Sequence, residues 1–224
     1  MSVPRVARDH QVIVIGRKGS GKSVGIRHLA AHVRGRLVAL NVKNDPGMSE
    51  HLLQRYDAVQ VKGRPDQLRA AISKHRVVEY IFDDALSLDE ADQVYRQLVK
   101  WHDLTVWLDE CYGPTTSTQV ARGLAQYLQH GRFKRLRHLA ATQRPRHIAK
   151  PLMTEADHIV FYPLGFAAED VDTVAANMGL KPRDLERIVA TVIRDRGSLG
   201  EYAHLWYDRT RNELHRRPSV PHLQ

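Results

Sequence analysis

Val12-Ile13-Val14-Ile15-Gly16-Arg17-Lys18-Gly19-Ser20-Gly21-Lys22-Ser23 decides the fold. Four β-branched residues in a row suit a strand buried on both faces. Residues 16–23 then match G-x-x-x-x-G-K-[ST] in full, and a helical pattern over 23–33 follows. Glycines let the chain take positive φ and turn successive backbone N–H groups toward an anion. The helix behind them aims its unpaired N–H groups and positive dipole end at the same point. Lys22 is placed to reach the outer phosphates of a nucleotide, and the Ser23 hydroxyl to bind Mg²⁺. Gly16, Arg17, Lys18, Gly19, Ser20, Gly21, Lys22 and Ser23 are therefore the candidate residues for binding ATP, with Ser23 also a candidate metal ligand.

Working outward, short apolar runs alternate with helical patterns. Strands are expected at 37–42, 58–61, 77–82, 104–108, 136–141 and 158–162, and helices at 66–74, 89–102 and 118–130. Such alternation predicts an α/β fold with a mostly parallel central sheet flanked by helices, the RecA-like, ASCE type of P-loop NTPase. Beyond it, 167–178 and 182–193 read as a helical pair, and 201–207 with 213–216 as a hairpin. The reading is one P-loop ATPase domain over 1–224, with a core at about 10–165 and the helical pair and hairpin at about 166–217.

The 224 residues carry 34 Lys+Arg against 25 Asp+Glu, a net charge of +9, and 25 of the basic residues are arginine. This balance suits a polyanionic partner, and equally a solvated basic surface. A single cysteine, Cys111, excludes an internal disulfide framework and a cysteine-rich zinc site. Residues 1–10 have no apolar core of a signal peptide, and no run approaches the ~20 apolar residues of a membrane span. A soluble protein of the cytoplasm is expected.

Hydrolysis needs a carboxylate for the metal and another to activate water. Two apolar strands end in acidic pairs: Thr105-Val106-Trp107-Leu108-Asp109-Glu110 and Glu79-Tyr80-Ile81-Phe82-Asp83-Asp84. Both fall where ligands collect in open α/β sheets. The first is preferred, because its glutamate reaches one methylene past the metal-bound aspartate. Asp109 is then the Mg²⁺ ligand and Glu110 the residue that polarises water. Asp83-Asp84 reads instead as an acidic turn ahead of a helix, or as an outer-sphere metal contact. Between 131 and 150 lie Arg132, Lys134, Arg135, Arg137, Arg144, Arg146 and Lys150, with no acid among them. Within that segment the strand at 136–141 ends in Thr142-Gln143-Arg144-Pro145. The Gln143 amide is suited to read a γ-phosphate and the attacking water. Arginines ahead of the strand are placed to reach a neighbouring subunit's nucleotide, as arginine fingers do.

Three blocks thus stand in order: 16–23, 106–110 and Ala141-Thr142-Gln143-Arg144-Pro145. Together they resemble the FtsK–HerA superfamily of DNA-pumping P-loop ATPases, over roughly residues 10–180. In its short length the chain is most similar to the compact genome-packaging ATPases of membrane-containing viruses. The resemblance implies that Lys22 and Ser23 hold phosphate and metal, Asp109 the Mg²⁺, Glu110 catalysis and Gln143 the γ-phosphate sensor. It implies a hydrolytic arginine at Arg132, with Arg135 a close rival, acting in cis or in trans. It further implies a hexameric or pentameric ring around double-stranded DNA, in a host cytoplasm or associated with a virion, and docking to capsid-vertex or membrane proteins. Pore loops would come from 113–119 or 43–47.

Two other readings compete: a P-loop small-molecule kinase, and a non-catalytic assembly protein gated by nucleotide. Free phosphate release separates the first from hydrolysis, and assembly without turnover marks the second. His28 and His32 have a metal-binding spacing but no third ligand, and are read as packing or surface histidines. Cys111 lacks a nucleophile's partners. The three tryptophans are read as core. Arg5 and Arg8 are candidate contacts to a neighbour or to DNA.

Overall fold

The computed structural model describes residues 6–7, 9–84, 87–111, 119–148, 150–163 and 165–220. Arg5, Arg8 and all of the 113–119 loop except Gln119 lie outside the described residues.

Among those described, nine strands form one sheet: β1 (Val12–Gly16), β2 (Arg36–Asn41), β3 (Val59–Lys62), β4 (Val77–Ile81), β5 (Leu104–Leu108), β6 (Leu136–Thr142), β7 (His158–Tyr162), β8 (His204–Asp208) and β9 (Glu213–Arg217). Their order is β3-β4-β2-β5-β6-β1-β7-β8-β9. The first seven are parallel, and β8 and β9 close the far edge antiparallel. The fold is the mostly parallel α/β sheet expected, with one difference. The C-terminal hairpin is no appendage: β8 pairs with β7, aligning Val160 with Trp206.

Nine α-helices connect these strands among the described residues: α1 (Lys22–Ala31), α2 (Pro46–Tyr56), α3 (Pro65–Lys74), α4 (Leu88–Leu98), α5 (Arg122–Lys134), α6 (Lys150–Thr154), α7 (Ala168–Asn177), α8 (Pro182–Arg194) and α9 (Arg196–Leu199). Alternate side chains of β1 enter opposite cores. Val12 and Val14 pack with Ile26 and Leu29 of α1 and Met48 and Leu52 of α2. Ile13 and Ile15 pack with the helices on the other face, including Tyr95 of α4 and Leu124 and Tyr127 of α5. Every residue of β1 is therefore buried, as its unbroken apolar run requires.

Three departures from the sequence reading have local causes. α2 was not foreseen; it is nucleated by Asp45, whose carboxylate accepts from the Gly47 N–H at 3.0 Å, with Pro46 in its first turn. It buries only Met48 and Leu52, too sparse a pattern to read as periodic. α5 starts later than expected and runs through Gly131 to Lys134, ending at Arg135 in the left-handed region at φ 54°. Gly131 belongs inside this helix because Gln11 Nε2 and the Leu136 carbonyl approach it too closely for a Cβ. α4 stops at Leu98 rather than at 102.

Three histidines are locked in neutral form by this packing. Burial lowers His138 to about 3, and its ring nitrogen meets Tyr95 Oη at 2.8 Å. Burial likewise lowers His158 to about 4. Trp206 Nε1 donates to His158 Nδ1 at 3.3 Å, which leaves Nε2 to donate to His10 Nδ1 at 2.9 Å. His204, stacked on Tyr162 with centroids 4.8 Å apart, is lowered to about 4 by burial. Each binds a proton in the unfolded chain near pH 6.5 but in the folded chain only near pH 3–4. The unfolded state therefore holds more protons within that window. Stability is unaffected above pH 6.5 and falls as pH drops below it, by at most about 1.4 kcal/mol per pH unit for each histidine. Denaturant melts at pH 7 and pH 5 should show this loss, and His138→Gln should flatten the slope.

Candidate functional site

The site forms where the C-terminal ends of β1, β5 and β6 meet. β6 lies between β1 and β5, so the strand carrying Gln143 separates the glycine turn from the acidic tip. Register fixes the levels: Ile15 aligns with Thr142, and Leu108 with Ala140. Asp109, Glu110 and Thr142-Gln143 therefore emerge at the same edge as Gly16.

The glycine turn is wound tightly. Gly19 and Gly21 take φ of 78° and 93°, conformations that L side chains rarely adopt. A Cβ at Gly16 would run into Ser20 Oγ and come within 3.0 Å of Lys22 Cβ. Ser20 Oγ itself is buried with no hydrogen-bond partner among the described residues. α1 begins at Lys22 with no side-chain cap and no acid in its first turn, so its N–H groups and dipole stay open to an anion. A phosphate fits this cradle: fixed N–H donors, an orphaned buried hydroxyl and a buried lysine. Tyr202 of the C-terminal segment packs over Gly21, and Tyr162 Oη lies where a Cβ on Gly25 would sit. These two tyrosines set the height of α1 above the sheet, and nothing in the sequence marked them.

Lys22, Asp109 and Glu110 come together around Cys111. The thiol is fully buried, its N–H donates to the Ala141 carbonyl at 2.9 Å, and burial pushes it well up. Glu110 and Asp109 push it further, and Lys22 pulls it back, so all three charges act on one point. Cys111 stays protonated and inert. Lys22 and Glu110 are buried, Asp109 and Gln143 are half-buried, and Ser23 is exposed at the first turn of α1. Magnesium held with a nucleotide needs only one or two protein oxygens, and Ser23 and Asp109 are of that kind. Glu110 makes one ion pair, with Lys43 Nζ at 3.1 Å.

The second acidic pair stands apart. β4 is four places from β1 in the sheet, about 19 Å at the usual strand spacing. The Asp83 and Asp84 N–H groups each donate to the Glu90 carboxylate of α4 at 3.2 Å, and Ser87 caps that helix. This is the acidic turn before a helix.

Arg132 and Arg135 do not join this chain's own site, which corrects their expected catalytic role in cis. α5 runs back to the start of β6, and the seven residues of β6 span about 20 Å from there to Thr142. Arg132 pairs with Asp157 at 2.7 Å, ahead of β7, and Arg135 with Asp103 at 2.5 Å, ahead of β5. At that same opposite edge Arg137 donates to the Val6 and Ala7 carbonyls, and Lys134 to the Val99 carbonyl. Arg146 pairs with Glu169. Most of the basic segment thus fastens the fold. Arg17 is likewise engaged, donating to the Gly165 carbonyl. His28 and His32 stack at 4.7 Å, and among the described residues no group of three or more His, Cys, Asp or Glu is disposed to hold a metal.

Glycine turn, acidic strand tip and an intervening sensor strand define the class: the fold is that of a RecA-like P-loop NTPase. Within that class the chain resembles the compact viral packaging ATPases. The genome packaging NTPase B204 from Sulfolobus turreted icosahedral virus 2, in complex with AMPPCP, superposes with a TM-score of 0.70 at 16% identity, covering 96% of this chain and 100% of that one. The same protein in complex with sulfate gives 0.71 at 17% identity, covering 97% and 100%. EccC (ATPases 2 and 3) of Thermomonospora curvata gives 0.55 at 14% identity, covering 96% of this chain and 37% of that one. No family model matches the chain, and no curated protein matches it in sequence.

Proposed function

We propose that the chain hydrolyses ATP and couples the reaction to moving double-stranded DNA, as a genome-packaging motor. The observation that carries this reading is the gathering of Lys22, Asp109 and Glu110 at one sheet edge, with Gln143 on the strand between them. A kinase site must seat an acceptor molecule. This one sets a buried carboxylate and a neutral amide beside the phosphate cradle, a pair suited to orienting water.

In this mechanism the open N–H groups of the glycine turn and of α1 hold the phosphates, and Lys22 balances their charge. Mg²⁺, held through Ser23 and Asp109, would neutralise charge on the outer phosphates. Glu110 accepts the proton of the attacking water, and Gln143 fixes that water against the γ-phosphate. Product release frees Gln143, and the change passes along β6 toward whatever the strand's far end touches. Copies of the chain act as a ring around the DNA, in the host cytoplasm at a capsid vertex or membrane. Any arginine finger from Arg132 or Arg135 would act in trans, after giving up its present acidic partner.

Phosphate release measured with and without linear duplex is the test. Double-stranded DNA should raise the rate at least about tenfold, with steep loss at higher salt as DNA phosphates recover their counterions. Mass photometry with a non-hydrolysable analogue and duplex should show a ring-sized species. Hydrolysis indifferent to DNA, by a protein that stays monomeric, would refute the motor.

A further inference from the structure

The turn joining β2 to α2 is built on buried polar side chains. Glu79, fully buried on β4, accepts from Asn41 Nδ2 at 2.8 Å, from Ser49 Oγ at 2.6 Å and from Gln60 Nε2 at 2.8 Å. Asn41 grips Asp45 twice, its Oδ1 accepting from the Asp45 N–H at 2.7 Å and its Nδ2 donating to the Asp45 carbonyl at 3.0 Å. Asp45 caps α2, and Arg27 of α1 donates to the Gly47 carbonyl at 3.1 Å. Both ends of the turn are thus fixed, and Asn44 at its tip takes φ 51°. A buried carboxylate costs several kcal/mol unless fully hydrogen-bonded. Glu79 is so bonded, and what it stiffens is the turn that carries Lys43.

Lys43 leaves that turn with its side chain 52% exposed and places Nζ 3.1 Å from Oε2 of Glu110, whose side chain is 6% exposed. The pair joins a solvent-facing cation to the buried carboxylate assigned to water activation. A carboxylate oxygen bonded to an ammonium is a weaker base, and that oxygen is not free to take a proton from water. The ammonium itself is compact, on a flexible stem, and open to exchange with another anion. A DNA phosphate is such an anion.

We propose that Lys43 is a positioning residue that restrains Glu110 until a DNA phosphate draws it away, so that hydrolysis begins when DNA is engaged. This rests on the proposed DNA-dependent ATPase and supplies its trigger. Glu110 and DNA then compete for one lysine, and the competition operates without nucleotide.

Binding of a fluorescent duplex to the nucleotide-free protein, titrated across salt, reads it directly. Glu110→Gln removes the competitor and should tighten binding about 3–10-fold at low salt, releasing about one more ion per complex. Lys43→Ala should weaken binding, and in its background Glu110→Gln should change nothing, which assigns the effect to the pair. In turnover, Lys43→Ala should raise DNA-free kcat several-fold (about 3–10-fold) at unchanged KM and flatten the stimulation by DNA. Lys43→Arg keeps a cation and should restore both. Wild-type DNA affinity and salt slope in Glu110→Gln overturn the proposal, as does a Lys43→Ala protein slowed equally with and without DNA. A wild-type protein that binds no duplex at low salt overturns the motor reading, and the trigger with it.

Discussion

Glu110→Gln yields a protein that binds nucleotide normally and hydrolyses it about 10²–10⁴-fold more slowly, the usual weight of a positioned general base. The substitution keeps volume and shape at a side chain only 6% exposed, so the β5 tip stays packed. It removes the charge that accepts the proton. Lys43 loses its counter-ion but is half exposed and turns to solvent at small cost. The cradle around Gly16–Ser23 lies across β6 from Glu110 and is untouched. The loss therefore falls on kcat and not on affinity for a non-hydrolysable analogue. Single-turnover phosphate release and an analogue titration on the same preparation check both halves. A variant that releases phosphate at the wild-type rate would remove Glu110 from the chemistry and leave water activation to another group.

How much of this was legible in the sequence depends on how local the chemistry is. The glycine turn was readable in full because its requirements, positive φ at Gly19 and Gly21 and an uncapped helix behind them, are set within eight residues. Each acidic strand tip was readable as a tip. Choosing between them needed the lateral order of strands, which side-chain reach suggested and the pairing of β5 with β6 supplied. Arg132 and Arg135 misled because closeness to Gln143 along the chain was taken for closeness in space. A strand separates its two ends by its full length, and they stand at the wrong one. Lys43 was read only as part of a candidate DNA loop. Its bond to Glu110 spans 67 positions, and no local pattern encodes it. Tyr162 and Tyr202, which seat α1, were hidden for the same reason. Helix α2 escaped because a proline, a glycine and two buried residues look like a loop until Asp45 is seen to cap it.

Lys22→Ala removes the cradle's own charge, and its expected signature differs from that of Glu110→Gln. Lys22 is 6% exposed at the first residue of α1, close enough to Cys111 to act on its thiol. In a water-poor site a fixed cation aimed at phosphate is worth far more than in solution, and losing one such donor costs about 10²–10³ in rate. Lys22 meets the phosphates in the ground state as well, so affinity should fall alongside kcat. The helix itself should persist, since alanine is the better helix former. Thermal melts separate these effects. Saturating analogue at about 100 times its Kd stabilises the wild type by about 2.7 kcal/mol through mass action. In Lys22→Ala that shift should vanish at the same ligand concentration, while Glu110→Gln keeps it. Nucleotide-free DNA affinity should be unchanged in Lys22→Ala, because the cradle and the Lys43 turn flank opposite sides of β5 and β6. If Lys22→Ala retained the full analogue-induced shift, the phosphate would have to be held elsewhere. The roles of Asp109, Glu110 and Gln143, all defined by their position relative to that phosphate, would then have no reference point.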